Sequence, residues 1–169
     1  MNEEKLELKF ASYEYFESFF RLRSQPQNIY WSGFSEAPIK KKLEHHYCAA
    51  IESSSREFYL LCEKSEAIGY LYIDSDSDSD SDEVEISYGI SSEKSGRGLA
   101  KLMIKEGLSA TKHKVAKVIA WIATSNIPSI KSVESLGFTK TEEEEARYFN
   151  QEIEPVKFCK FIKIYGDFQ

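Results

Sequence analysis

Ser95-Gly96-Arg97-Gly98-Leu99-Ala100 is the stretch that decides the reading of this chain. It follows an alternating segment over residues 83–90, Glu-Val-Glu-Ile-Ser-Tyr-Gly-Ile, which has the period of a half-buried strand. After it, Leu99, Leu102, Met103 and Leu108 recur at helical spacing within residues 98–112. A strand, a glycine turn and a helix start in succession make an anion site, because free backbone N–H groups and the positive end of the helix dipole converge there. Glycines at 96 and 98 remove the Cβ atoms that would hold a pyrophosphate off the backbone. On these residues alone, an ordinary tight strand-to-helix turn explains the glycines equally well. The stretch is not a Walker loop, since no Gly-Lys-Ser/Thr follows. Nor is it the dinucleotide fingerprint, which needs a third glycine and a later ribose-binding acid.

Outward from the turn, the pattern predicts an α/β chain. Upstream, residues 6–10 read as a strand, and Ser12 is placed to cap a helix reaching about Arg23. Residues 24–38 carry two prolines, a glycine and scattered aromatics, which suit a loop with a short helical turn. Pro38 opens a helix to about Glu52. Two strands, 57–62 and 67–74, flank the turn 63–66. Downstream, 115–123 is a continuous apolar run of the kind buried on both faces. Residues 127–136 form a short helix stopped by Gly137, and 138–147 and 156–164 read as strands. No repeat or linker divides the 169 residues, so a single domain over 1–169 is expected.

A second segment has the same weight as the first: Asn126-Ile127-Pro128-Ser129-Ile130-Lys131-Ser132-Val133-Glu134-Ser135-Leu136-Gly137-Phe138. Together the two segments resemble the GNAT superfamily of N-acetyltransferases. The family's Arg/Gln-x-x-Gly-x-Gly/Ala turn is matched by Ser95-x-x-Gly98-x-Ala100, with Ser95 in place of Arg or Gln. Glu85-Ile86-Ser87-Tyr88-Gly89-Ile90 is similar to the Glu-Ile-Gly-Tyr-x-Ile strand of the RimJ/RimL-type branch. The 126–138 segment resembles that branch's Asn-x-x-Ser/Ala…Gly-Phe motif, about 30 residues on and in the right context. The motif resemblance spans residues 68–138.

The resemblance implies a mixed, strongly twisted sheet of about seven strands, with two neighbouring parallel strands, 83–90 and 115–123, splayed apart. Acetyl-CoA would lie in that gap as co-substrate, with no metal. Its pyrophosphate would sit on Ser95, Gly96, Arg97, Gly98, Leu99 and Ala100. Its pantetheine would pair with backbone at Ile90, whose N–H is also placed to polarise the thioester, and bond Asn126. An amine attacks a thioester only when neutral, so a base is needed; by family position that is Glu85, whose alternative is a plain strand residue. Many members carry a tyrosine where Val133 stands, as acid to the leaving thiolate; Ser129 is the candidate here, and helix capping is its alternative. Tyr30, Trp31 and Phe34 fall where the acceptor pocket is built, or else clasp the loop to the core. The implied reaction is N-acetylation of a primary amine on a small molecule, an amino sugar or a protein N-terminus. The alternative is an acyl-CoA-binding module without turnover, because Ser95 and Val133 depart from the family pattern.

Bulk properties bound the rest. A net charge of −6 without a basic stripe disfavours nucleic acid and suits a cationic or neutral acceptor. No apolar run approaches the ~20 residues of a membrane span, and the cytoplasm is the expected compartment. Three irregularly spaced cysteines do not form a disulfide framework, and Cys62 and Cys159 lie in apolar strands where buried thiols are expected. His45, His46 and Cys48 lack the partners of a tetrahedral metal site. The Asp-Ser alternation over residues 74–82 reads as a solvated hairpin loop, lacking the glycine bend and closing glutamate of a calcium loop. Monomer and homodimer are both compatible with this reading.

Overall fold

The computed structural model describes residues 5–76, 82–112 and 114–165. The loop expected over 74–82 starts later than the sequence suggests, because Asp74 and Ser75 still pair in a strand, opposite Glu85 and Val84, and residues 77–81 lie outside the described residues. In chain order the elements are β1 (Leu6–Phe10), α1 (Phe16–Arg23), α2 (Pro26–Trp31), α3 (Lys40–Glu52), β2 (Arg56–Glu63), β3 (Glu66–Ser75), β4 (Glu83–Ile90), α4 (Leu99–Ala110), β5 (Lys117–Ala123), α5 (Ile127–Ser135), β6 (Thr139–Arg147) and β7 (Val156–Ile164). The strands form one sheet in the order β1-β2-β3-β4-β5-β7-β6. Only β4 and β5 run parallel; the other neighbours are antiparallel. The parallel step is made by the βαβ crossover through α4.

The alternation of β4 and β5 assigns their faces. Val84, Ile86, Val118, Ala120 and Ile122 pack with Leu99, Met103 and Ile104 of α4 and Val133 of α5. On the other face, Phe58, Leu60, Cys62 and Tyr70 meet Phe16, Phe19 and Leu22 of α1 and Leu43 and Tyr47 of α3. Phe19, Leu60, Leu71, Met103, Ile104 and Val133 are fully enclosed. Each such side chain contributes about 1.5–3 kcal/mol of burial, so the two cores clamp the sheet between helical layers.

Three further expectations need adjustment. Ser12 does not cap a long helix: a 3₁₀ turn, Tyr13–Tyr15, intervenes, and the Ser12 hydroxyl donates to Glu14 Oε1 at 3.4 Å instead of accepting a backbone N–H. The short helical turn within 24–38 is a defined helix, α2, started by Pro26, whose missing N–H costs nothing at a first turn. β5 is enclosed on its α4 face only: Ile119 and Trp121 are partly open on the other side, where a cavity begins. Gly137 takes φ +90° after α5, the left-handed stop expected of it. Cys62 and Cys159 are buried, and all three thiols are free.

Candidate active site

The site begins where a ladder stops. β4 and β5 pair from Glu83↔Lys117 to Ile86↔Ala120 and no further, although β4 runs on to Ile90 and β5 to Ala123. Each strand is held elsewhere: Ile90 stays opposite Gly69 of β3, and Ala123 opposite Phe158 of β7. The two strands therefore splay. Ser91 donates its N–H to Ile68 O at 2.7 Å, which makes Ile90 a non-hydrogen-bonded position of the β3–β4 ladder. By the same alternation, the backbone groups of Tyr88 and Ile90 face away from β3; the Ile90 carbonyl accepts from Asn28 Nδ2 at 3.3 Å, which leaves its N–H for the gap. A cavity of about 790 Å³ opens there.

One wall of the cavity is the glycine turn. Gly96 and Gly98 have φ of +78° and +72°, left-handed values that cost an ordinary residue about 1 kcal/mol or more. A Cβ on either glycine would meet no atom within 4 Å, so backbone conformation rather than crowding favours glycine here, and the space above the turn is open. No side chain caps α4 at Gly98, which leaves first-turn N–H groups for an outside acceptor. The Ser95 hydroxyl is engaged with Ser92 O at 2.8 Å. Ser95, Gly96, Gly98, Leu99 and Ala100 line the cavity, whereas Arg97 is exposed and does not.

α5 supplies the second wall. Asn126 Oδ1 accepts the Ser129 N–H at 3.4 Å, capping the helix, and its amide Nδ2 is unengaged among the described residues. Ser129 Oγ lies 2.6 Å from the Tyr88 hydroxyl, across the mouth of the gap. Burial pushes the Tyr88 phenol up to about 12, with the Ser129 contact pulling the other way. Val133, one helical turn beyond Ser129, is sealed in the core.

The opposite side of the sheet forms a third wall of Trp31, Phe34, Tyr70, Tyr72, Trp121 and Phe158. Tyr30 is not among these lining residues. Its ring packs on Trp31 and Phe149, 4.8 and 5.4 Å away, and its hydroxyl donates to Glu152 at 2.8 Å. Glu85 lies on the same strand face as Ser87 and Gly89, which line the cavity, but outside the lining itself. Packing around its carboxyl raises its pKa; Arg147 opposes this, while Asp74 and Glu145 add to it.

Residues 5–139 match the family model described as the acetyltransferase (GNAT) domain. The chain belongs to the GNAT acetyltransferase family. Solved structures share the fold at low identity. The spermidine N-acetyltransferase from Vibrio cholerae, in complex with CoA and spermine, superposes with a TM-score of 0.80 at 17% identity over 96% of each chain. The ribosomal-protein-S5-alanine acetyltransferase from Vibrio fischeri gives 0.79 at 14%, covering 100% of this chain and 98% of that one. The ribosomal-protein-alanine N-acetyltransferase from Brucella melitensis gives 0.76 at 14%, covering 94% and 99%. No curated protein sequence matches this one.

In this GNAT chain the cavity brings together Ile90, Ser95, Gly96, Gly98, Leu99, Ala100, Asn126, Ser129, Trp31 and Phe34 from the sequence reading, and leaves Arg97, Tyr30 and Glu85 outside its lining. Sequence reasoning did not find Tyr88 as the partner of Ser129, nor Arg23, Tyr70, Tyr72, Trp121, Arg147 and Phe158 on the far wall. A signal existed for two of them: Tyr70 and Tyr72 are spaced to share one face of β3. Arg23 and Arg147 end elements, and nothing local marks them. Among the described residues, no cluster of three His, Cys, Asp or Glu side chains is placed to hold a metal ion. No described helix is long and apolar enough to cross a membrane.

Proposed function

We propose that this GNAT protein is an acetyl-CoA-dependent N-acetyltransferase of the RimJ/RimL-like branch, acting on a primary amine of a small molecule, an amino sugar or a protein N-terminus. The observation that carries the proposal is the interrupted β4–β5 ladder beside an uncapped, glycine-led helix. Acetyl-CoA needs a seat for a pyrophosphate and a channel for an amide-bearing arm. The open space over Gly96 and Gly98 and the α4 N–H groups fit the first. The backbone of Tyr88 and the N–H of Ile90, facing the gap, and the free Nδ2 of Asn126 fit the second. The branch assignment rests on the Glu85–Ile90 and Asn126–Phe138 patterns, and the ribosomal-protein enzymes among the similar structures are compatible with it. The three free cysteines agree with work in the cytoplasm.

Bound acetyl-CoA supplies an acetyl carbon activated as a thioester. The chain's own groups then move two protons. The amine nitrogen bonds the acetyl carbon as the carbon–sulfur bond breaks, and Glu85 takes the nitrogen's proton, through water from its place beside the cavity. A carboxyl held above its usual pKa is a better base for that step once ionised. The leaving thiolate takes a proton from Ser129, the hydroxyl of Tyr88 at 2.6 Å restores it, and water returns a proton to Tyr88 as Glu85 gives up its own, which resets both groups. Tyr88 thus brings to the site, from β4, the phenol that α5 lacks at Val133. The products are an N-acetyl amine and free CoA thiol. Thiol release from acetyl-CoA across a panel of amino acids, polyamines, amino sugars and N-terminal peptides tests the reading. Amine-dependent release is expected; acetyl-CoA binding with no release on any amine would leave a binding module instead.

A further inference from the structure

Arg23 is the residue of the cavity that the acetyl-transfer chemistry does not use. It ends α1 and lines the third wall, with its guanidinium 5.1 Å from the Tyr70 ring and 5.8 Å from Phe19. One arm, Nη2, donates to Ser32 Oγ at 3.1 Å. Its Nε is shut away from solvent with no acceptor. Among the described residues no carboxylate pairs with it. By contrast Arg147 pairs with Glu145 at 2.5 Å, and Lys94, also on the lining, pairs with Glu63 at 2.6 Å. A half-buried guanidinium loses hydration without regaining it from a partner, and such a cation is a standing demand for an anion.

The surroundings sharpen the demand. The lining includes Arg23, Lys94, Lys131 and Arg147 and no aspartate or glutamate. With Lys94 and Arg147 answered by glutamates, Arg23 and Lys131 are the lining cations left without a carboxylate among the described residues, in a chain whose net charge is −6. Arg23 stands across the sheet from the glycine turn: Tyr70, beneath it, belongs to the α1–α3 core, whereas Leu99 belongs to the α4–α5 core. It is thus placed for the acceptor rather than for the CoA phosphates. Tyr72, Trp121, Phe158, Trp31 and Phe34 add flat apolar walls.

Resting on the acetyltransferase reading above, we propose that the acceptor amine carries a carboxylate, bound by the Arg23 guanidinium, with an apolar body against the aromatic wall. The ring of Tyr70 holds the guanidinium plane, and the donors left over from Ser32 meet the carboxylate oxygens. Polyamines, which bring only positive charge, offer Arg23 no partner.

The test uses matched acceptors that differ only in the anion: phenylalanine, phenylalaninamide and phenethylamine, the leucine counterparts, and spermidine. Thiol release gives kcat and KM with the wild type, Arg23→Gln and Arg23→Lys. Thermal shift with CoA present reads acceptor binding without turnover, and acetyl-CoA affinity and melting temperature of each variant report folding. The wild type is expected to favour the free acids through KM. Arg23→Gln raises KM for the acids by roughly ten- to a hundredfold, the scale of a charged hydrogen-bonded pair, and leaves the amides nearly unmoved. Arg23→Lys recovers part of the loss. Equal handling of acid and amide by the wild type, in both turnover and thermal shift, overturns the proposal, as does preference for spermidine or an equal loss on acid and amide in Arg23→Gln. If acetyl-CoA itself fails to bind, the acetyltransferase reading falls. If it binds and only the amides are acetylated, that reading stands and the Arg23 assignment alone is lost.

Discussion

Gly98→Asn separates the two reasons a glycine can stand at the head of α4. At φ +72° an alanine costs about 1 kcal/mol. For a chain of this size, that lowers the melting temperature by roughly 2–4 °C. Asparagine tolerates the left-handed region better than alanine, so its cost should be smaller. Neither side chain collides with the protein, because a Cβ at 98 meets nothing within 4 Å. The free protein should therefore accept Gly98→Asn with little loss, and Gly98→Ala with the larger one. Binding should rank differently. Any side chain at 98 rises into the space where an anion must approach the first-turn N–H groups. At least a tenfold loss of CoA affinity is expected for both variants, about 1.4 kcal/mol. Calorimetric titration with CoA, beside thermal melts of the free variants, reads the two effects apart. If Gly98→Asn melts like the parent and also binds CoA like the parent, the turn is not the pyrophosphate seat.

Acetyl-CoA at ~100 times its dissociation constant should add about 2.7 kcal/mol of stability, seen as a melting shift of several degrees; no shift at millimolar ligand refutes the site. Glu85→Gln should lower kcat by roughly 10²–10⁴ with acetyl-CoA affinity retained, and a near-full rate would return Glu85 to a plain strand role. The pH profile carries a sign: the raised native pKa moves the ionisation of the base, and with it the rate's acid limb, upward from the pH of an unperturbed glutamate, and the limb is lost in Glu85→Gln. The same raised pKa makes Glu85's stabilising contribution complete below its unfolded pKa and lost as pH rises through the native one, so Glu85→Gln should flatten that fall in acid-range melts. Tyr88→Phe should lower kcat as Ser129→Ala does, and the double variant should lose little more, since the two hydroxyls act as one; additive losses in a double-mutant cycle would separate them.

The fold was legible because its signals are local. Val84, Ile86, Val118 and Ile122 alternate, Leu99 and Met103 keep a helical period, and Gly98 and Gly137 mark where helices begin and end. β4 and β7 were found with their boundaries intact. Ser12 misled because a capping residue announces only that a helix is near, and the 3₁₀ turn before α1 has no sequence mark of its own. The site was half legible. Gly96, Gly98, Asn126 and Ser129 lie in two short segments that one strand–turn–helix geometry explains. Tyr88 and Ser129 are 41 residues apart, and their contact exists only because β4 and α5 face each other across the gap. Arg23 belongs to an amphipathic helix in which a terminal arginine looks like ordinary dipole compensation; only the tertiary structure shows that no acid among the described residues answers it.

The parting of β4 from β5 gives this sheet something most sheets avoid, a pair of raw edges in its interior. An outer edge invites any extended chain to add on, and proteins blunt such edges with charge, proline or short strands. Here the backbone of Tyr88 and the N–H of Ile90 lie in a cleft walled by α4, α5 and aromatic rings, away from the outer edges of the sheet. A thin, amide-bearing thread without side chains suits such an inner edge. An inner edge enclosed by helices and rings is sheltered from strands of neighbouring molecules, so the feature that would admit a pantetheine arm also guards the sheet against edge-to-edge association.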